Sequence, residues 1–87
     1  MREKPTIAPD IAVEILSPDD RRPILDEKID LYVRGGAELV VVVDPQRQLV
    51  EIHEGGGHHT FGLAEIARSR TFPDLALDVS ELFVDLF

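Results

Sequence analysis

In the run IAVEIL, residues 11–16, a glutamate interrupts a stretch of β-branched and aliphatic residues. A strand sends successive side chains to opposite faces, so Asp10, Ala12, Glu14 and Leu16 share one face and Ile11, Val13 and Ile15 share the other. Glu14 therefore stands on a face that its neighbours favour burying. An unpaired carboxylate in that position would cost several kcal/mol or take up a proton. It needs a cation, and a metal ion, a lysine or an arginine would each serve. Three readings stand at this point: an edge glutamate that reaches water, a structural salt bridge, and a catalytic or metal-binding acid.

A partner is offered by the segment that follows. Placed every ~100° on a helical wheel, Ile24, Leu25, Ile29, Leu31, Tyr32 and Val33 fill one broad apolar arc, and Asp26, Glu27, Asp30 and Arg34 fill the other side. Lys28 falls inside the apolar arc. Snorkelling along the helix is the plain explanation, but this helix must pack its apolar arc on the sheet that carries Glu14. Two opposite charges, each out of place on its own element, suggest a pair that meets. Asp10 shares the Glu14 face, yet four strand residues separate their Cα atoms by about 13 Å, whereas the ligands of one hard cation lie about 2.0–2.6 Å from it. Asp10 is thus a candidate at the edge of the same site, and a further acid has to come from another strand.

Other groups carry less chemistry. His53, His58 and His59 flank a glycine-rich hairpin tip, where exposed loop histidines are commoner than metal ligands. The GGG at 55–57 has neither the spacing nor the following helix of a phosphate-binding loop. Ser17 lies in no nucleophile-elbow pattern. Asp44 before Pro45 reads as a turn residue, and Asp19 and Asp20 as solvated or capping groups.

The elements that must position Glu14 and Lys28 are legible from pattern. Residues 10–16 read as a strand closed by SPDD. Pro23 to Arg34 reads as a helix, with Asp26 and Glu27 complementing its positive end and Gly35-Gly36 ending it. AELVVVVDP is a strand apolar on both faces, hence central and covered twice. QLVEIHE and HHTFG pair as a hairpin, and TFPDLALDV gives a loop and a short strand before a terminal helical turn, ELFVDLF, capped by Ser80. The fold class is α/β (α+β): a mixed sheet built from a βαβ unit plus an antiparallel hairpin, in a single domain over residues 1–87. With one long helix available, the second face of the VVVV strand is expected to be covered by a dimer partner or by a missing upstream segment.

Composition narrows the function classes. Hydrophobic residues make up 44% and charged residues 30% of 87, an ordinary globular balance. The absence of cysteine rules out disulfides and thiolate metal sites and makes a reducing cytoplasm the default compartment. The N-terminal run MREKPTIAPD lacks the apolar core of a signal peptide, and the longest apolar run, LVVVV, is far shorter than a membrane span. A net charge of -8 opposes binding to a polyanion unless metal ions or a basic partner offset it.

The string PDIAVEILSPDD, a helix carrying K..LY..GG, then ELVVVVDP and finally FPDLALDVSELF together resemble the Uma-two family of restriction-endonuclease-like proteins, in the PD-(D/E)XK nuclease superfamily. Members read close to PDLVVEVLSPS, a helix with K and Y, then YWLVDP, and end near LPGLELDLSELF. The likeness extends over residues 8–84. It implies a restriction-endonuclease-like mixed sheet flanked by helices and a Mg²⁺-dependent phosphodiesterase site acting on DNA. Carried over, Glu14 would be the metal-ligating acid, with Asp10 as a second candidate, and Lys28, moved from strand to helix, the group that positions or stabilises charge. Relatives usually carry a long upstream segment with the first metal-binding Asp, and this chain begins after it, so half a site is expected, in a cytoplasmic protein that forms homodimers. The alternative is a non-enzymatic remnant acting as a dimerisation or protein-interaction module.

Overall fold

The protein is described by a computed structural model covering residues 10–86. Pro9, which opens the family-like string, and residues 1–8 lie outside the described residues. The elements in chain order are β1 (Ile11–Ile15), α1 (Arg22–Arg34), β2 (Leu39–Asp44), β3 (Leu49–Glu54), β4 (Gly57–Phe61), β5 (Ile66–Arg68), β6 (Ala76–Asp78) and α2 (Val79–Leu86). β1 to β4 form one sheet in sequence order, β1 parallel to β2 and the others antiparallel, while β5 and β6 pair separately. The βαβ unit and the hairpin stand as the sequence pattern requires.

β2 organises the rest. Leu39, Val40, Val41, Val42 and Val43 are all buried, because a strand apolar on both faces is stable only between two covers. On one face Val40 and Val42, with Ala12 of β1, receive Leu25, Ile29 and Tyr32 of α1. On the other, Leu39, Val41 and Val43 join Val50 and Ile52 of β3 and pack against Ala67 of β5 and Val79 and Phe83 of α2. The second cover is therefore the chain's own C-terminal third, which corrects the expectation of a dimer partner or missing segment there. The terminal run ELFVDLF extends into a helix that starts at Val79, and β5 is a strand the sequence pattern did not single out. This cover stops short of β1, where Val13 and Ile15 remain 57% and 51% exposed.

Local chemistry sets the helix ends. Arg21 precedes α1 without a side-chain cap, Pro23 sits in the first turn, and no acidic residue occupies that turn. Asp26 instead accepts from Arg22 Nε at 3.0 Å, so it and Glu27 do not complement the positive helix end as expected. Gly36, at φ 108°, adopts the left-handed conformation that ends α1 at little cost for a residue without Cβ. At α2 the cap is Asp78, not Ser80. Its Oδ1 accepts from the Ser80 and Glu81 amides at 3.1 and 3.4 Å and from the Ser80 hydroxyl at 2.8 Å.

Glu54, at the end of β3, fastens the loop after β5 to the main sheet. Its carboxylate accepts the Ser69 hydroxyl at 2.7 Å and the Arg70 and Thr71 amides at 2.8 and 3.0 Å. Burial alone would raise its pKa. The donors from Arg70, Ser69 and Thr71 overcome that and hold it at about 2, against an ordinary 4.5. A depressed folded pKa contributes stability that is full above the unfolded value and lost as pH falls through the folded one. The urea midpoint is thus expected to fall between pH 4.5 and about 2, and Glu54→Gln should flatten part of that slope. A core test is independent of pH: Leu39→Ala, at a side chain with no exposure, should cost about 2–5 kcal/mol by urea denaturation, whereas Val84→Ala, at 80% exposure, should stay within about 0.5 kcal/mol.

Candidate active site

The face of the sheet under α1 carries charged side chains at its margins. The register aligns Glu14 of β1 with Val42 of β2, and Val42 with Glu51 of β3, so the two carboxylates flank a fully buried valine. α1 lies over this row.

Lys28 and Tyr32, one helical turn apart on the same side of α1, both reach Glu14. The phenol of Tyr32 donates to Oε1 at 3.0 Å, and Lys28 Nζ approaches Oε2 at 3.5 Å. The carboxylate is 17% exposed and the ammonium 44%. The pair anticipated from two misplaced charges therefore meets. Charge-assisted N–H···O bonds are commonly about 2.7–2.9 Å, so Lys28 is loosely held and Tyr32 is the firmer contact. Donation to Glu14 raises the Tyr32 pKa above its ordinary value, because ionising the phenol would lose that bond and set two negative charges together. The sequence pattern placed Tyr32 only in the apolar arc. Its spacing of four from Lys28 was the available signal.

A second cluster sits on the other flank of α1. Arg22 Nη1 donates to Glu51 Oε2 at 2.8 Å, and His53 Nε2 lies 2.8 Å from Oε1. Burial pushes the Glu51 carboxyl up, but Arg22 and His53 outweigh it and hold the group below its ordinary value. The His53 ring stacks on His58 with centroids 4.8 Å apart. His58 and His59 are exposed, as expected for hairpin histidines, whereas His53 is drawn into the Glu51 cluster. Sequence reasoning missed Glu51 and Arg22. A glutamate in the alternating run LVEIHE reads as an outward residue until β2 and α1 close over it.

The remaining candidates do not join either cluster. The Asp10 side chain is exposed and makes no hydrogen bond or ion pair among the described residues, while its carbonyl accepts the Glu38 and Leu39 amides at 2.9 and 3.2 Å. Asp20 accepts from the Ser17 amide and hydroxyl at 2.6 and 3.2 Å, and Asp44 from the Arg47 amide at 3.1 Å, both closing turns. Among the described residues no group of three His, Cys, Asp or Glu side chains converges to hold a metal ion. Nor do the described residues fit a divalent cation at Glu14: they offer a single carboxylate there, both oxygens of which already accept or face a donor.

The profile of a family described as "Putative restriction endonuclease", Uma2, matches residues 1–80. The chain belongs to the Uma2 family. Its fold is also that of a solved structure titled a "putative nuclease belonging to DUF820" from Anabaena variabilis, at a TM-score of 0.76 and 27% identity over 90% of this chain. The match takes in 45% of that protein, so the Uma2 chain described here spans less than half of its relative's length. No protein of curated function matches it. Within this Uma2 fold, the acid and the lysine singled out by the resemblance are the pair joined under α1, and Tyr32 completes a three-residue contact.

Tyr32 is the one tyrosine of a chain without tryptophan, so the ultraviolet absorbance of phenolate reports on it alone. Its titration is expected above 10.0 in the wild type and lower in Glu14→Ala. An unchanged titration in that variant would remove the Tyr32–Glu14 bond from the account.

Proposed function

We propose that this chain is the acid-and-lysine half of a cytoplasmic, Mg²⁺-dependent nuclease that hydrolyses phosphodiester bonds in DNA, a self-associating hydrolase with little activity as a single chain. The observation that supports the reading is the contact of Lys28 Nζ with Glu14 Oε2 at 3.5 Å, made by the two residues that the family motif singles out. Glu14 is the acid of the site, with Asp10 at its edge. Lys28 places a mobile positive charge beside it, suited to the negative charge that grows on phosphate oxygens during in-line displacement. Tyr32 fixes the orientation of the carboxylate so that one oxygen faces Lys28. Helix α1 sets the distance between acid and cation through the packing of Leu25 and Ile29 on Val40 and Val42.

The half-site supports a second reading, a non-enzymatic interaction module. A net charge of -8 and, among the described residues, a single carboxylate beside Lys28 and Tyr32 favour it. Cleavage of supercoiled DNA with Mg²⁺ or Mn²⁺ separates the two. The nuclease reading expects slow nicking by the wild type, none by Glu14→Ala, and a loss of about 100-fold or more in Lys28→Ala. Equal nicking by all three proteins, or none by any, assigns the chain to the interaction module.

A further inference from the structure

The β3–β4 hairpin turns on Gly55 and Gly56, whose φ values of 60° and 80° fit the two-residue turn that matches strand twist. Glu54 and Gly57 close that turn, which makes them a hydrogen-bonded pair. The next pair, His53 opposite His58, therefore falls at the alternate position, where facing side chains stand closest. Their rings are stacked with centroids 4.8 Å apart. Both line a cleft of about 340 Å³ between α1 and the hairpin tip, together with Asp26, Asp30, Glu38 and Glu54 and with no lysine or arginine. Such a lining favours cations. Asp26 and Asp30 are already paired with Arg22 and Arg34, so the choice of cation rests on the imidazoles.

His53 has one nitrogen committed and one free. Arg22 Nη1 donates to Glu51 at 2.8 Å and keeps it ionised, and an ionised carboxylate only accepts. The neutral His53 ring therefore carries its proton on Nε2, the atom 2.8 Å from Glu51, and a lone pair on Nδ1. Nδ1 makes no hydrogen bond among the described residues, where no side-chain nitrogen is sealed without a partner. It thus reaches the surface, and the surface beside His53 is the cleft. An imidazole that donates one N–H to a carboxylate and presents its other nitrogen is the form in which histidine is oriented to ligate a metal. His58 is exposed and makes no hydrogen bond among the described residues. Its ring can turn out of the stack without breaking one and set a second nitrogen beside the first.

We propose that His53 and His58 bind a divalent transition-metal ion of the zinc class at this cleft, with Glu51 as the residue that positions His53. Imidazole nitrogen suits Zn²⁺, Ni²⁺ and Cu²⁺, whereas Mg²⁺ and Mn²⁺ prefer oxygen, so this site is chemically distinct from one at Glu14. No third His, Cys, Asp or Glu converges on the pair among the described residues, so water completes the coordination. That suits an exchangeable ion, since structural zinc takes four protein ligands. His59 is paired with Ile52, one residue out of step with His58, and so points to the opposite face of the hairpin. The clasp of Arg22 on Glu51 keeps its structural part, and the binding group is the nitrogen that the clasp leaves free.

Calorimetry of the tag-free protein with Zn²⁺ is expected to show one ion per chain, with binding lost in His53→Ala and in His58→Ala. His58 is exposed, so His58→Ala should keep the urea midpoint of the wild type, and its loss of binding then reports the ligand and not the fold. His59→Ala should bind like the wild type. Glu51→Gln, a near-isosteric change, should weaken binding by about 10–100-fold, while Mg²⁺ should give no heat that depends on His58. A wild type that takes up no Zn²⁺, or equal uptake after His58→Ala, overturns the site. Binding lost in Glu14→Ala but kept in His58→Ala places the ion at the acid and lysine of β1 and α1 and overturns it as well. Affinity unchanged in Glu51→Gln overturns the positioning role of Glu51.

Discussion

A strand with five consecutive buried aliphatic residues must be covered on both sides, and β2 imposes that constraint on everything around it. Helix α1 supplies one cover, and β5, β6 and α2 supply the other. A helix is about 10–12 Å across with its side chains, against strands about 4.8 Å apart, so one helix seated over β2 reaches only the near parts of β1 and β3. Charged side chains are tolerated at those two flanks and nowhere between. Glu14 and Glu51 occupy them, with Val42 in the dry middle.

The two flanks have different chemistry. Glu51 is clasped by Arg22 and His53 at 2.8 Å each, and its carboxylate is held ionised and immobile. That arrangement ties the start of α1 to β3 and reads as structural. Glu14 has one firm donor, the Tyr32 phenol, and one distant cation, Lys28 at 3.5 Å. A loosely held ammonium beside a fixed carboxylate can turn toward an incoming anion without breaking a strong bond. This difference, more than charge itself, makes the β1 flank the functional candidate in a Uma2 chain.

The same flank is where covering stops. The C-terminal cover reaches β3 and β2 but leaves Val13 and Ile15 exposed, and among the described residues no strand pairs with the outer edge of β1. Incomplete burial and an edge left unpaired among the described residues thus coincide at the strand that carries Glu14. The solved relative carries further chain beyond the 45% that matches.

Much of this was written in local pattern. The VVVV run required a central strand, the spacing from Pro23 to Arg34 required a helix, and the opposed misplacement of Glu14 and Lys28 implied their contact, because each signal depends on residues close in sequence. Other features had no local signal. That Glu51 is buried and held by Arg22 of α1, 29 residues away, and that the chain's own C-terminal third covers the second sheet face depend on segments far apart in sequence, while the choice of Asp78 over Ser80 as the cap of α2 turned on where the helix begins. Periodicity determined which side chains must be buried. Only the packing of α1 and α2 on opposite faces decided what buries them, since an amphipathic face specifies the need for a partner but not which partner will meet it.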